Sequence, residues 1–322
     1  MKRIILLVLF FAGLLYIASC NKEETAKNDK TLDSAITVYD TNSIPKGPER
    51  DAITYGMNLF MNTHKYLGTK GTVMKVSTND VDCKNCHLNG GTKPNALPLF
   101  TVVSRYPNFR AREGRILNIQ DRVNNCFVNP LLGHEIDVKS KEMYAITMYL
   151  KWLWDSNGNK MKLAGDIPVS IPWLERAADL KKGEVVYVKY CARCHQPNGE
   201  GVPNPTDGGY VYPPVWGMKS FSLGSSMHRI GKMAAYIKYN MPNDKHLTNE
   251  QLTDEEAFDV AAYVNYEKIH PRPPYNVEED FYKDPKLKTI DFPLAPYADP
   301  FTEEQHRWGP FKPIEEWRKK NK

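Results

Sequence analysis

The sequence predicts a mainly α fold: two helical domains in tandem, with an extended C-terminal tail packed on them. Three observations carry this. The stretch Val81-Asp82-Cys83-Lys84-Asn85-Cys86-His87 recurs in altered form as Tyr190-Cys191-Ala192-Arg193-Cys194-His195. Each copy is followed by a loop broken by Gly and Pro and then by an amphipathic helical pattern. The 322 residues are enough for about two domains of ordinary size.

Two cysteines three apart followed at once by histidine are the pattern of covalent haem c attachment. The thiols add across the haem vinyl groups, and the adjacent imidazole is placed under the iron. A structural zinc site would want four ligands in pairs, and a thioredoxin-like site would not need the histidine. The expectation is therefore two cytochrome c domains with two covalently bound haem c. Cys83, Cys86, Cys191 and Cys194 anchor the haems, and His87 and His195 are the proximal iron ligands. A hydrophobic content of 41% with 25% charged residues argues against a wholly disordered chain and against multiple membrane spans. The formal charge of +5 includes Lys2 and Arg3 of a leader and is no nucleic-acid footprint.

Taken in order, the chain opens with basic Lys2 and Arg3 and an apolar run from Ile4 to Ile17, too short to span a bilayer. Ile17-Ala18-Ser19-Cys20 resembles a bacterial lipobox, so residues 1–20 read as a lipoprotein signal with Cys20 lipidated. An ordinary signal peptide with an incidental cysteine is the alternative. Either way the chain is expected to be exported, and a lipid anchor would hold it on a membrane, facing the periplasm or outer surface. Residues 21–47 are polar and aperiodic, a tether.

The first domain is expected over 48–155. Pro48 opens a helix with Ile53, Met57, Phe60 and Met61 on one face, ending near Gly68, and Ser140 caps a closing helix bearing Tyr144, Met148, Tyr149 and Trp152. Residues 156–171 read as the linker. In the second domain, 172–270, Pro172 starts a helix with Leu174, Ala178, Leu180, Val186 and Tyr187 leading into Cys191. Thr253 and Glu256 form a capping box for its closing helix. The tail, 271–322, has many prolines and aromatics and little helical period, so it is expected to be ordered and draped over one or both domains.

The halves can be put in register. Glu142, Tyr144, Ile146, Tyr149 and Leu150 match Glu256, Phe258, Val260, Tyr263 and Val264 at a constant offset of 114. The second domain offers Met218, Met227, Met233 and Met241 as the distal iron ligand. Met241 is the choice, because Pro242 stops any helix there and presents the thioether from an extended turn. The first domain has no methionine between His87 and its closing helix. It has Cys126, the one cysteine left after lipid and thioethers, 23 residues before Tyr149, as Met241 stands 22 before Tyr263. Cys126 thus falls at the distal-ligand position, with a ligand at His134 or an open iron as alternatives. A thiolate donor would lower the potential of its iron relative to a His/Met haem.

Arg110, Arg112, Arg115 and Arg122 precede Cys126. They are solvated, bind haem propionates, or grip an oxyanion beside the thiolate. The step that fits is two-electron oxidation of a sulfur anion, one electron to each haem. The segments His87-Leu88-Asn89-Gly90-Gly91, Arg110-Ala111-Arg112-Glu113-Gly114-Arg115, Asp121-Arg122-Val123-Asn124-Asn125-Cys126-Phe127, Pro213-Pro214-Val215-Trp216-Gly217, Tyr239-Asn240-Met241-Pro242 and His306-Arg307-Trp308-Gly309-Pro310-Phe311 carry a resemblance. The chain resembles the dihaem thiosulfate dehydrogenases, which join two thiosulfates into tetrathionate and can run in reverse.

That resemblance implies His87/Cys126 ligation at a catalytic first haem, with Arg112 and Arg122 gripping substrate. It makes His195 with Met241 the electron-exit haem, and it implies a small cytochrome c or a quinol-linked membrane complex as redox partner. Two departures stand out. Asn240 occupies a position where relatives can carry a lysine that competes for the iron, and Val128-Asn129-Pro130-Leu131-Leu132 replaces charged and hydroxyl residues. A tethered electron-transfer cytochrome without substrate, or a dihaem peroxidase, are the rival readings.

Overall fold

A computed structural model describes residues 41–159, 170–243, 252–274 and 282–321. The leader, Cys20, most of the tether and most of the linker lie outside these residues. No described helix is long and apolar enough to cross a membrane.

The first domain is built on two helices that cross. Helix α1 (Glu49–Met61) buries Ile53, Gly56, Leu59 and Phe60, and a short second helix, α2 (Thr63–Leu67), follows it. Helix α3 (Cys83–Cys86) carries the attachment motif, and a hairpin of β1 (Asn108–Arg110) and β2 (Arg115–Leu117) leads into α4 (Ile119–Val128). The closing helix α5 (Lys141–Ser156) starts where the Ser140 hydroxyl accepts from the Met143 N–H at 3.1 Å. It buries Met143, Ile146, Met148, Tyr149, Trp152 and Leu153, while Tyr144 points to solvent.

The second domain repeats the plan. Helix α6 (Leu180–Val186) runs through a π turn at Tyr187–Cys191 into α7 (Ala192–His195). The expected start at Pro172 is corrected: Asp179 caps the helix, accepting from Lys181 and Lys182, and residues 172–179 are irregular. Trp173 is needed there to pack against Phe258 and Phe311, and Arg176 to pair with Asp259. A small ladder of β3 (Val202–Pro203) and β4 (Tyr210–Tyr212) precedes α8 (Ile230–Asn240) and α9 (Asp254–Asn265). The Thr253–Glu256 capping box is formed as the sequence predicts.

One glycine in each domain sets the helix crossing. A Cβ on Gly56 would lie 1.9 Å from the Ala145 carbonyl oxygen, and one on Gly183 would lie 2.0 Å from that of Asp259. Both glycines also press on a tyrosine Cβ, of Tyr149 and Tyr263 respectively, so the crossing repeats at the offset of 114 read from the sequence. Gly56→Ala is expected to destabilise the first domain by about 3 kcal/mol through overpacking. Urea unfolding of the holoprotein checks this, and a wild-type midpoint would show that the crossing can open at no cost.

The tail holds more helix than its weak period suggests. Helices α10 (Glu303–Trp308) and α11 (Lys312–Lys320) seat Phe311 and Ile314 in the second core. The buried carboxylate of Asp299 ties His306 at 2.8 Å and Arg318 at 2.7 Å. Asp291 pairs with Arg229 at 2.7 Å and accepts from the Gly231 N–H, anchoring the start of α8.

The two domains are stitched together. Asn79 donates to the Ser220 carbonyl at 3.1 Å, and Tyr236 donates to the Cys86 carbonyl at 3.0 Å. The Asn240 amide donates to the Asn95 carbonyl at 2.9 Å. The Ser222 N–H donates to the Pro130 carbonyl at 3.1 Å, and its hydroxyl donates to that of Asn129.

Candidate active site and haem pockets

Each attachment motif is held so that its histidine presents one nitrogen inward. His87 Nδ1 meets the Leu97 carbonyl at 2.6 Å, and His195 Nδ1 meets the Pro213 carbonyl at 2.8 Å. A proton kept on Nδ1 leaves Nε2 with a free lone pair, the arrangement that a metal-ligating imidazole uses. In the first motif, buried Asp82 accepts from the His64 backbone at 2.9 Å and faces its Nδ1 at 2.8 Å, while Asn85 closes the capping box. Thr63 Oγ1 lies 3.3 Å from Cys83 Sγ.

The second motif opens on an apolar cavity of ≈ 490 Å³, with Cys191, Cys194 and His195 on one side and Met241 on another. Its size is that of a cofactor pocket. Of the four methionines, Met218 is 62% exposed. Met227, Met233 and Met241 all line the cavity, and the sulfur of Met233 accepts from the Asn265 amide at 3.4 Å. Met241 caps α8 in an extended conformation ahead of Pro242, as its sequence context predicts. Cys86, Asn89 and Gly90 of the first domain line the same cavity, so the two haem pockets adjoin.

In the first domain the decisive element is α4, begun by a reciprocal cap between Asn118 and Asp121. It puts Arg122 and Cys126 four residues apart on one face. Arg122 Nη1 donates to Cys126 Sγ at 3.1 Å. His87 reaches the same sulfur closely enough to favour its anion. Burial opposes ionisation of Cys126, but Arg122 and His87 outweigh it and bring the thiol down to about 7. The attachment thiols go the other way: burial pushes Cys83 up to about 12 and Cys86 up to about 11. Cys126 is thus the one described thiol of this domain set up as an anion.

The residues singled out from sequence separate in space. Arg122 is at the sulfur. Arg112 Nη1 donates to the Gly224 carbonyl at 2.8 Å, which places it at the seam with the second domain. Arg110 is exposed, and Arg115 turns to Asp121 at 3.4 Å. His134, the alternative ligand, is exposed, and its two nitrogens meet the carbonyls of Lys75 and Glu135. Glu113, beside Arg122 and bonded by Asn125 at 2.7 Å, was missed by sequence reasoning. Its place depends on the β1–β2 hairpin, which carries no strong sequence signal.

Comparison with known proteins places this geometry. Residues 74–161 match the family model described as SoxA/TsdA, cytochrome c domain, and residues 180–267 match Cytochrome c. A thiosulfate dehydrogenase of Stutzerimonas stutzeri (strain A1501) is 34% identical over 230 residues, 71% of this chain and 70% of the relative. The chain belongs to the thiosulfate dehydrogenase family. A second family member, from Allochromatium vinosum, is 33% identical over 245 residues, 74% of this chain and 85% of the relative. Among solved structures, a thiosulfate dehydrogenase of Marichromatium purpuratum in its as-isolated form is similar at a TM-score of 0.63 and 29% identity. The match covers 70% of this chain and 47% of that one. Family membership and the two cytochrome c domains make this a protein of two covalently bound haem c. The pockets fit that requirement, with paired thiols, an inward imidazole nitrogen and an apolar cavity.

Proposed function

We propose that this protein is a thiosulfate dehydrogenase that joins two thiosulfates into tetrathionate at Cys126. The observation that carries this reading is the unpaired sulfur of Cys126, to which Arg122 Nη1 donates at 3.1 Å. In the overall step two sulfane sulfurs form one S–S bond and two electrons leave, with no net proton change. The haems supply the electron sink when bound. His87 with Cys126 would hold the first, and His195 with Met241 would hold the second. Arg122 keeps Cys126 in its anionic form and offers further N–H groups to a sulfonate, a planar fork suited to oxyanions. Arg112, at the seam, is the second substrate arginine.

Electrons leave through the second domain to a small cytochrome c or a quinol-linked membrane complex. The reaction also runs in reverse as tetrathionate reduction, its net direction set by the partner's potential. The leader residues 1–20 support export and attachment through Cys20 to a membrane, facing the periplasm or outer surface.

The test is an assay of the holoprotein recovered from the membrane fraction, with thiosulfate as donor and ferricyanide as acceptor. Tetrathionate should form at one molecule per two ferricyanides reduced. Electron paramagnetic resonance of the oxidised protein should show a low-spin thiolate-ligated haem. Full haem content without thiosulfate oxidation would leave only an electron-transfer cytochrome.

A further inference from the structure

The imidazole of the first attachment motif is held from outside its own domain. His87 Nδ1 is bonded to the Leu97 carbonyl at 2.6 Å. Leu97 stands at φ 53°, a left-handed conformation that leucine rarely adopts, so the aim of its carbonyl depends on whatever fixes the loop around it. That support comes from the second domain. Ala96 is fully buried in the hydrophobic cluster of the second domain, with Leu88 and Leu97 packed against the same cluster. The Asn95 carbonyl accepts from the Asn240 amide at 2.9 Å, and Lys93 Nζ donates to the Asn243 side chain at 2.8 Å.

The backbone of His87 is fixed from the same quarter. Tyr236, in the last turn of α8, donates to the Cys86 carbonyl at 3.0 Å, and that carbonyl belongs to the peptide that joins Cys86 to His87. Tyr236 is buried and lines the second cavity together with Cys86 and Met241. Its own carbonyl accepts from the Asn240 amide at 3.0 Å, so one turn of helix holds the His87 peptide, the Leu97 loop and the residue before Met241. A hydrogen bond from the far nitrogen of a ligating imidazole fixes the ring and strengthens it as a donor, and such a bond weakens as its geometry slackens. We infer that Tyr236 is a positioning residue for the proximal histidine of the first haem: through it and the buried Ala96 loop, the second domain sets how strongly His87 binds the first iron. The inference rests on His87 being that iron's ligand, and it makes α8 answerable to both irons, with Tyr236 facing one and Met241 the other.

The experiment measures the midpoint potentials of both haems in the holoprotein by spectroelectrochemistry, with electron paramagnetic resonance of the oxidised form, for wild type and Tyr236→Phe. Phenylalanine keeps the ring against the second cavity and removes only the donor to Cys86. A slackened His87–Leu97 bond leaves the imidazole a poorer donor to ferric iron, so the potential of the first haem should rise. The expected shift is about threefold in its reduction equilibrium toward the ferrous form, a smaller effect than removing the Leu97 carbonyl itself would have. The first haem's resonance should move with it, and the second haem should keep its wild-type potential. Should Tyr236→Phe fail to retain haem, Ala96→Val presses on the same loop from the first domain's side and is read by the same two measurements. Wild-type potential and resonance at the first haem overturn the inference, even if the melting temperature falls, because Tyr236 then only glues the domains. A shift confined to the second haem overturns it too. Turnover is not the readout: a wild type that oxidises no thiosulfate would sink the reaction assigned to Cys126 and still leave the first haem's potential to decide Tyr236.

Discussion

Thiosulfate oxidation by a Cys126→Gly holoprotein is expected to fall by about two to three orders of magnitude, the scale of removing one directly acting group. Both haems should still attach, because Cys83, Cys86, Cys191 and Cys194 stand on other elements. The fold should survive as well: Cys126 is half-buried on α4, apart from its buried Asn124 and Phe127, and the domain is held by the α1–α5 crossing. What disappears is the one sulfur that Arg122 and His87 jointly favour as an anion. Cys126→Met sharpens the experiment, since it returns a sulfur without its charge. It should keep a six-coordinate iron, lose the thiolate resonance signature and remain far below wild-type turnover. Full activity in either variant would remove Cys126 from the chemistry.

The second large effect concerns Arg122. Arg122→Gln should lower kcat/KM for thiosulfate about a hundredfold, within the range for truncating one partner of a buried charged pair. Arg122→Lys keeps the charge but replaces a planar fork with a point charge. It should recover part of that loss, chiefly in kcat, while KM stays raised. The reasoning rests on a double role: Nη1 is committed to Cys126 Sγ, and the remaining N–H groups, which donate to none of the described residues, can meet a sulfonate. Steady-state kinetics on haem-replete protein decide the matter, and a lysine variant indistinguishable from wild type would show that only charge is used.

The parts of this molecule legible in its sequence are those fixed by short-range rules. Adjacent thiols and imidazole declare haem attachment within a few residues. The caps at Ser140 and Thr253 announce helix starts through hydrogen bonds spanning three residues. The register between the halves rests on repeated apolar spacing, and the Gly56 and Gly183 contacts give that spacing a cause, since the closing helix must bring the same rungs to each glycine. Long-range features stayed hidden. Pro172 looked like a helix start because proline favours that position, but Trp173 and Arg176 are claimed by partners far along the chain. The tail's two helices are short and proline-flanked, and packing of Phe311 and Ile314 on the second core holds them rather than any strong period. Helix α4 is a different case, since its cap, Asn118 with Asp121, is legible within three residues.

The bonds from Ser222 to the carbonyls of Asn129 and Pro130 bear on how such a chain could have arisen by duplication. Those carbonyls belong to the turn that follows α4, so a lone half would have left two acceptors just beyond the helix that carries Cys126 without these partners. The second domain is therefore a scaffold for the first as well as a haem-binding domain of its own, and losing it would strip the first of part of its support.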